Sequence, residues 1–182
     1  MHGTEILNIT DQETDFNTSI QDAMMTRLKN ICLCVKGADC VPLLFFDPIK
    51  NVIAAAHAGW RGTLQKIASK VIENMKYYYH AQPETIYVGI GPSISCNNYE
   101  VSHELAEEFM NTFDESVICY KHSRVYLDLW KCNQIQLIES GIKLDHIECS
   151  GLCTYERSDT FYSHRHSGGK TGRFVAGLML VG

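Results

Sequence analysis

Residues 51 to 75 constrain the fold of this chain more than any other segment. The apolar run Val52-Ile-Ala-Ala-Ala56 has the length of a strand, ends at His57 and leads into Ala58-Gly-Trp-Arg-Gly62. Leu64, Ile67, Ala68, Val71, Ile72 and Met75 then recur at spacings of three and four residues. That period marks one buried face of a helix. A strand that feeds a helix through glycines belongs in a layered fold, with helices covering a sheet.

The flanking chain repeats the alternation. Residues 31–35, 43–46 and 51–56 read as short strands, with Gly37 and Pro42 interrupting the first two. Asp47-Pro48 with Asn51 predicts a hairpin turn. A strand is expected over residues 85–90, beyond Pro83, and a helix over residues 102–113 with Leu105, Phe109 and Met110 inward. Asp128 is a good N-cap for a helix running to Ser140, and Gly141 suits the left-handed turn that stops it. Residues 146–149 and 173–181 read as the last strands. Strands and helices mix here without a strict βαβ rhythm. The expected class is therefore α/β (α+β), a mixed sheet with packed helices, in a single domain over residues 1–182.

Length and charge narrow the partners. A chain of 182 residues hides about 70% of its unfolded surface without staples. Its net charge of −5 gives no general attraction to nucleic acid or an anionic membrane, so any phosphate must be held by local groups. No run reaches the roughly 18 apolar residues that span a bilayer. Met1-His2-Gly3-Thr4-Glu5 lacks the basic and apolar parts of a signal peptide, so a cytoplasmic location with free thiols is expected. Cys32 and Cys34, inside an apolar run, are expected to be small buried side chains. Cys119 and Cys132 have no partner at ligand spacing. Cys149 and Cys153, four apart, can chelate a metal but lack the second close pair of a structural zinc site.

Two residues stand out chemically. Cys40 follows Asp39 and precedes Val41-Pro42, at a junction of loop and strand. His57 ends a buried strand among small neighbours that leave room for a ligand. Taken alone, each is open to a structural reading as well as a functional one. The same holds for Arg61, placed to bind phosphate at the mouth of a helix or to lie over the surface. Asp39 can orient a ligand, act as a base or cap a turn. His164, Arg165 and Arg173 cluster around Gly168-Gly169-Lys170, where they either contact a nucleoside or phosphate or supply surface charge. Tyr77, Tyr78 and Tyr79 read as packing and rim residues.

The chain also carries, in order, Ala38-Asp-Cys-Val-Pro42, Ala56-His-Ala-Gly-Trp-Arg-Gly62, Gly91-Pro-Ser-Ile94 and Tyr99-Glu-Val101. Asp128-Leu129 with Asn133 and Gln136-Leu137, Cys153-Thr154, Phe161-Tyr-Ser-His-Arg165 and Thr171-Gly-Arg173 follow. Across nearly its whole length this set resembles the YfiH-like family, also called the laccase-domain or polyphenol-oxidase family. The resemblance implies a fold likened to cysteine hydrolases and a metal site of one cysteine and two histidines. Those are Cys40, His57 and, from the family's His-Gly motif, His2. Such a donor set suits zinc with one open position, and copper is the alternative.

The activity implied is zinc-dependent purine nucleoside phosphorylase, with adenosine or inosine and phosphate as substrates and adenosine deamination as a further activity. Arg61 would hold phosphate and Asp39 would take a proton. His164 and Arg165 would contact substrate. Three alternatives stand beside it: a Cys-His hydrolase or deamidase with Cys40 as nucleophile, a copper-dependent polyphenol oxidase, and an inactive ligand-binding relative. Oxygen reduction of the multicopper type is not expected, because eight histidines include the single His-x-His pair His164-Arg-His166. Family members carry a further segment ahead of the His-Gly motif, so an N-terminally short domain is implied. A monomer or weak homodimer is expected.

Overall fold

The computed structural model of the chain describes residues 4–11 and 21–182. It begins with strands β1 (Ile6–Ile9), β2 (Ala23–Thr26), β3 (Cys32–Gly37), β4 (Val41–Asp47) and β5 (Val52–Ala58), then helices α1 (Trp60–Leu64) and α2 (Ile67–Tyr79). Strands β6 (Tyr87–Ile90) and β7 (Glu100–Val101), helix α3 (His103–Thr112) and strands β8 (Ile118–Lys121) and β9 (Arg124–Leu127) come next. Helix α4 (Leu129–Glu139) and strands β10 (Ile147–Cys149) and β11 (Phe174–Met179) complete it. Six strands make one mixed sheet in the order β1-β2-β5-β4-β6-β10, parallel at its two outer pairs and antiparallel within. The expected α/β class with a mixed sheet is what the chain forms.

Strand β5 explains the layering. Val52, Ala54, Ala56 and Ala58 face one side and join the larger core with Ile67, Ala68, Val71, Ile72 and Met75 of α2. Ile53 and Ala55 face the other side and join a second core with Leu33 and Val35 of β3. There β3 and β11 pair as a two-stranded antiparallel ribbon lying over the sheet. A strand covered on both faces needs no polar alternation, and small side chains let both layers approach. The run of alanines is the local reason for a three-layer fold. His57, next in the alternation after Ile53 and Ala55, falls on the ribbon side.

Two expectations require correction, and a third feature was not expected at all. The helix after Gly62 is not continuous: α1 ends at Leu64, and Lys66 takes a left-handed conformation (φ 59°) before α2 starts. The Thr63 carbonyl accepts Lys66 N–H at 3.0 Å and Gln136 Nε2 at 2.9 Å. A buried side chain of α4 thereby occupies a carbonyl that a straight helix would use for the next turn. Secondly, Cys32 and Cys34 are exposed, because in β3 it is Leu33, Val35 and Gly37 that turn inward. Thirdly, β7, β9 and β8 form a separate small antiparallel sheet that no apolar run announced.

The limits of α4 are as expected. Asp128 accepts from Lys131 N–H at 3.0 Å and Gly141 sits at φ +94°. Among the described residues no helix is long and apolar enough to cross a membrane.

Candidate active site

The ribbon does not cover the whole sheet. Beyond its end, where β4 begins and β5 finishes, lies a cavity of about 400 Å³. Its lining includes Asp39, Cys40, His57, Trp60, Arg61 and Tyr99, together with His164, Arg165 and Arg173. Every described residue singled out from the sequence as a site candidate therefore meets at one place. His2 lies outside the described residues.

Strand register sets the first pair. Pro42 pairs with His57 across β4 and β5, so Cys40, two residues earlier, comes up on the same face as the imidazole. On its other side His57 faces Asp22, since Ala23 pairs with Ala56 in the antiparallel β2–β5 ladder. The His57 N–H donates to the Asp22 carbonyl at 2.7 Å, and the Asp22 carboxylate lies 3.7 Å from Nδ1. A carboxylate behind an imidazole helps to orient the ring as a ligand. Asp22 was missed in the sequence because its relation to His57 exists only through strand pairing.

Asp39 is a junction of four loops. Its backbone is left-handed (φ 86°) and its carbonyl accepts Ile94 N–H at 3.0 Å. One carboxylate oxygen accepts the Thr154 hydroxyl at 2.7 Å and the other accepts Arg165 N–H at 2.6 Å. The carboxylate is almost fully buried. These bonds fix where Arg165 starts, and Arg165 then lays its guanidinium over the Tyr99 ring at 5.1 Å and donates to the Glu100 carbonyl at 2.8 Å. Thr154 and Tyr99, each inside one of the sequence motifs, were not singled out as site residues.

Cations surround the opening. Among the described residues Lys36, Arg61, Arg165 and Arg173 line the cavity, against the single acid Asp39. Arg61 stacks on Trp60 at 4.0 Å. Because α1 has only five residues, an anion here would be held by side-chain charge and not by a helix terminus. The chain near Gly168 and Gly169 is a compact turn, both glycines having positive φ, with Gly169 N–H donating to the His164 carbonyl at 2.9 Å. That turn holds His164 at the rim.

Electrostatics in the interior keep protons on. Burial, then the charge of Asp39, pushes the Cys40 thiol up to about 11 against the pull of Arg173. Burial, then the neighbouring Cys40, pushes the Tyr99 hydroxyl up to about 12, so Tyr99 is a hydrogen-bond donor at neutral pH. Alkylation proceeds through the thiolate. In metal-free protein, modification of Cys40 by iodoacetamide should therefore rise about tenfold per pH unit from roughly pH 7 to 10. Peptide mass spectrometry measures this, and a plateau near neutral pH would contradict it.

The donor set suits a thiophilic metal: a thiol and an imidazole on one face, with a carboxylate behind the imidazole. Among the described residues no group of three or more His, Cys, Asp or Glu is gathered in ligand geometry. Cys149 and Cys153 are not such a group, and Cys153 instead accepts the Ser95 N–H at 3.3 Å.

A family model described as "Multi-copper polyphenol oxidoreductase laccase" matches residues 1–181. A purine nucleoside phosphorylase of Bacteroides thetaiotaomicron is 38% identical over 163 residues, which cover 87% of this chain and 60% of that protein. A protein named adenosine deaminase RL5, from an unknown prokaryotic organism, is 34% identical over 86% of this chain and 61% of its own length. The chain thus spans about three fifths of these relatives. The crystal structure of Bacillus licheniformis hypothetical protein YfiH superposes with a TM-score of 0.92 at 30% identity, over 99% of this chain and 72% of that one.

Proposed function

Because the chain belongs to the YfiH-like laccase-domain family, we propose that it is a zinc-dependent purine nucleoside phosphorylase acting on adenosine or inosine, with adenosine deamination as a second activity. One observation carries this reading. A chain with 21 acidic and 16 basic residues gathers four of its cations, and one acid whose carboxylate is already engaged, around one cavity. Such a lining selects an anion, and the adjoining faces of Tyr99, Ile94 and Leu129 suit an uncharged ring system.

In phosphorolysis a phosphate oxygen forms a bond to the ribose anomeric carbon while the bond from that carbon to the purine nitrogen breaks. The bonding pair leaves with the base, which then needs a proton or a donor. Arg61, with Arg165 and Arg173, would hold and orient the phosphate oxygens. His164 at the rim would contact the nucleoside. Tyr99 keeps its proton and can donate. Asp39 acts by holding Thr154 and Arg165 in place. Zinc would be held by Cys40, His57 and, as the family's His-Gly motif implies, His2, with Asp22 orienting the His57 imidazole, and would supply a Lewis acid for charge developing in the transition state.

The Cys-His hydrolase reading has a partial counterpart here, since Asp22, His57 and Cys40 follow one another across the sheet. A thiol pushed up to about 11 is the reverse of an activated nucleophile, which weighs against it.

Kinetics of Arg61→Ala test the assignment. A charge-assisted hydrogen bond contributes roughly 1.5–3 kcal/mol. The KM for phosphate should therefore rise about 10- to 100-fold with the KM for inosine little changed, and Arg61→Lys should recover part of it. An unchanged phosphate KM would remove Arg61 from the site.

A further inference from the structure

The outer face of the β3–β11 ribbon, turned away from both cores, presents sulfur. Cys32 and Cys34 alternate outward along β3, are exposed, and bring their Sγ atoms to 3.4 Å. Directly across from Cys34 stands Gly177, and directly across from Cys32 stands Met179, itself 44% exposed. Opposed residues in an antiparallel pair have Cβ atoms about 4.5–5.5 Å apart, so the flexible thioether of Met179 reaches the same patch. Gly177 is what leaves room there. A Cβ at that position would lie 2.9 Å from the Cys34 sulfur and 3.4 Å from the Cys32 sulfur.

We propose that Cys32, Cys34 and Met179 form a surface binding site for a soft monovalent cation of the copper(I) kind, separate from the cavity of Cys40 and His57. Thiolates and thioethers select soft cations, and copper(I) accepts few ligands. Zinc and the harder divalent ions want a fourth donor and favour imidazole or carboxylate, and neither group stands opposite these cysteines in the ribbon register. Two metal–sulfur bonds of about 2.3 Å at a trigonal angle need sulfurs about 4 Å apart. Two exposed side chains provide that small opening by rotating at χ1. On binding, each thiol releases its proton to solvent and the copper enters and leaves as copper(I), so no electron is exchanged.

The test uses the full chain, reduced and anaerobic, with zinc supplied first to occupy Cys40 and His57. Copper(I) is then titrated in competition with a chromogenic chelator. Wild type should take up one more equivalent of copper(I) than the Cys32→Ser/Cys34→Ser double variant. Both substitutions are at exposed positions, and matching far-UV circular dichroism checks the fold. Met179→Leu should keep the stoichiometry and lose roughly 10-fold in affinity, the scale on which accessory groups tune a metal site. X-ray absorption of the additional equivalent should show sulfur ligands only. Equal uptake by wild type and the double variant, copper having gone to other thiols, would overturn the site. So would unchanged affinity in Met179→Leu, or nitrogen ligation of the additional copper.

Discussion

Replacing His57 with alanine is expected to remove bound zinc and to lower phosphorolysis at least about 10³-fold, which is the several kcal/mol a metal Lewis acid contributes. The imidazole stands between Pro42 of β4 and Asp22 at the edge of β2, at the end of β5 that the ribbon does not reach. Within β5 the preceding positions on the same face, Ala55 and Ile53, carry no ligand atom. Cys40→Ala should behave likewise. Stability should change little, since His57 borders a cavity instead of filling the core. Atomic emission on dialysed protein and a coupled assay for base release make the two measurements. Retention of stoichiometric zinc and of full turnover in His57→Ala would contradict the assignment.

Asp39→Ala is expected to cost about 3 kcal/mol of stability and about 100-fold in kcat/KM. The first figure follows from two hydrogen bonds to one carboxylate, each worth roughly 1.5–3 kcal/mol and partly recovered by water. The second follows from the displacement of Arg165, because a shift of about 1 Å at a positioning group costs roughly 10²-fold. Asp39→Asn separates two roles. The amide oxygen can accept Arg165 N–H while the amide nitrogen donates to the Thr154 hydroxyl, so both contacts persist without the charge that strengthens them. A positioning residue then loses stability and activity together, to an intermediate degree in both. A general base would instead lose activity almost wholly, with little change in stability. Urea denaturation read beside the pH–rate profile decides between them.

What could be read from the sequence was local. Helix α4 could be bounded because Asp128 caps it and Gly141 ends it at positive φ, each a short-range signal. Cys40, His57, Arg61, Asp39, His164 and Arg165 could be chosen because motif and composition mark them, and all six line one cavity. What could not be read depends on pairing or parity. Asp22 meets His57 only through the β2–β5 register. Cys32 and Cys34 sit in an apolar run whose parity is decided by Leu33 and Val35, and cysteine is at home on either face. The β8–β9 hairpin turns at His122 and Ser123, both at positive φ, without the glycine or asparagine that usually signals such a turn. The break before α2 depends on Gln136, which lies far along the chain and bonds the Thr63 carbonyl.

In the proposed function the nucleoside's ribose passes to phosphate in the cavity that Arg61 lines. Zinc-loaded protein incubated with inosine should release hypoxanthine only when inorganic phosphate is present, with ribose 1-phosphate formed in equal amount. Release of base at the same rate without phosphate, or no release at all from fully metal-loaded protein, would contradict it.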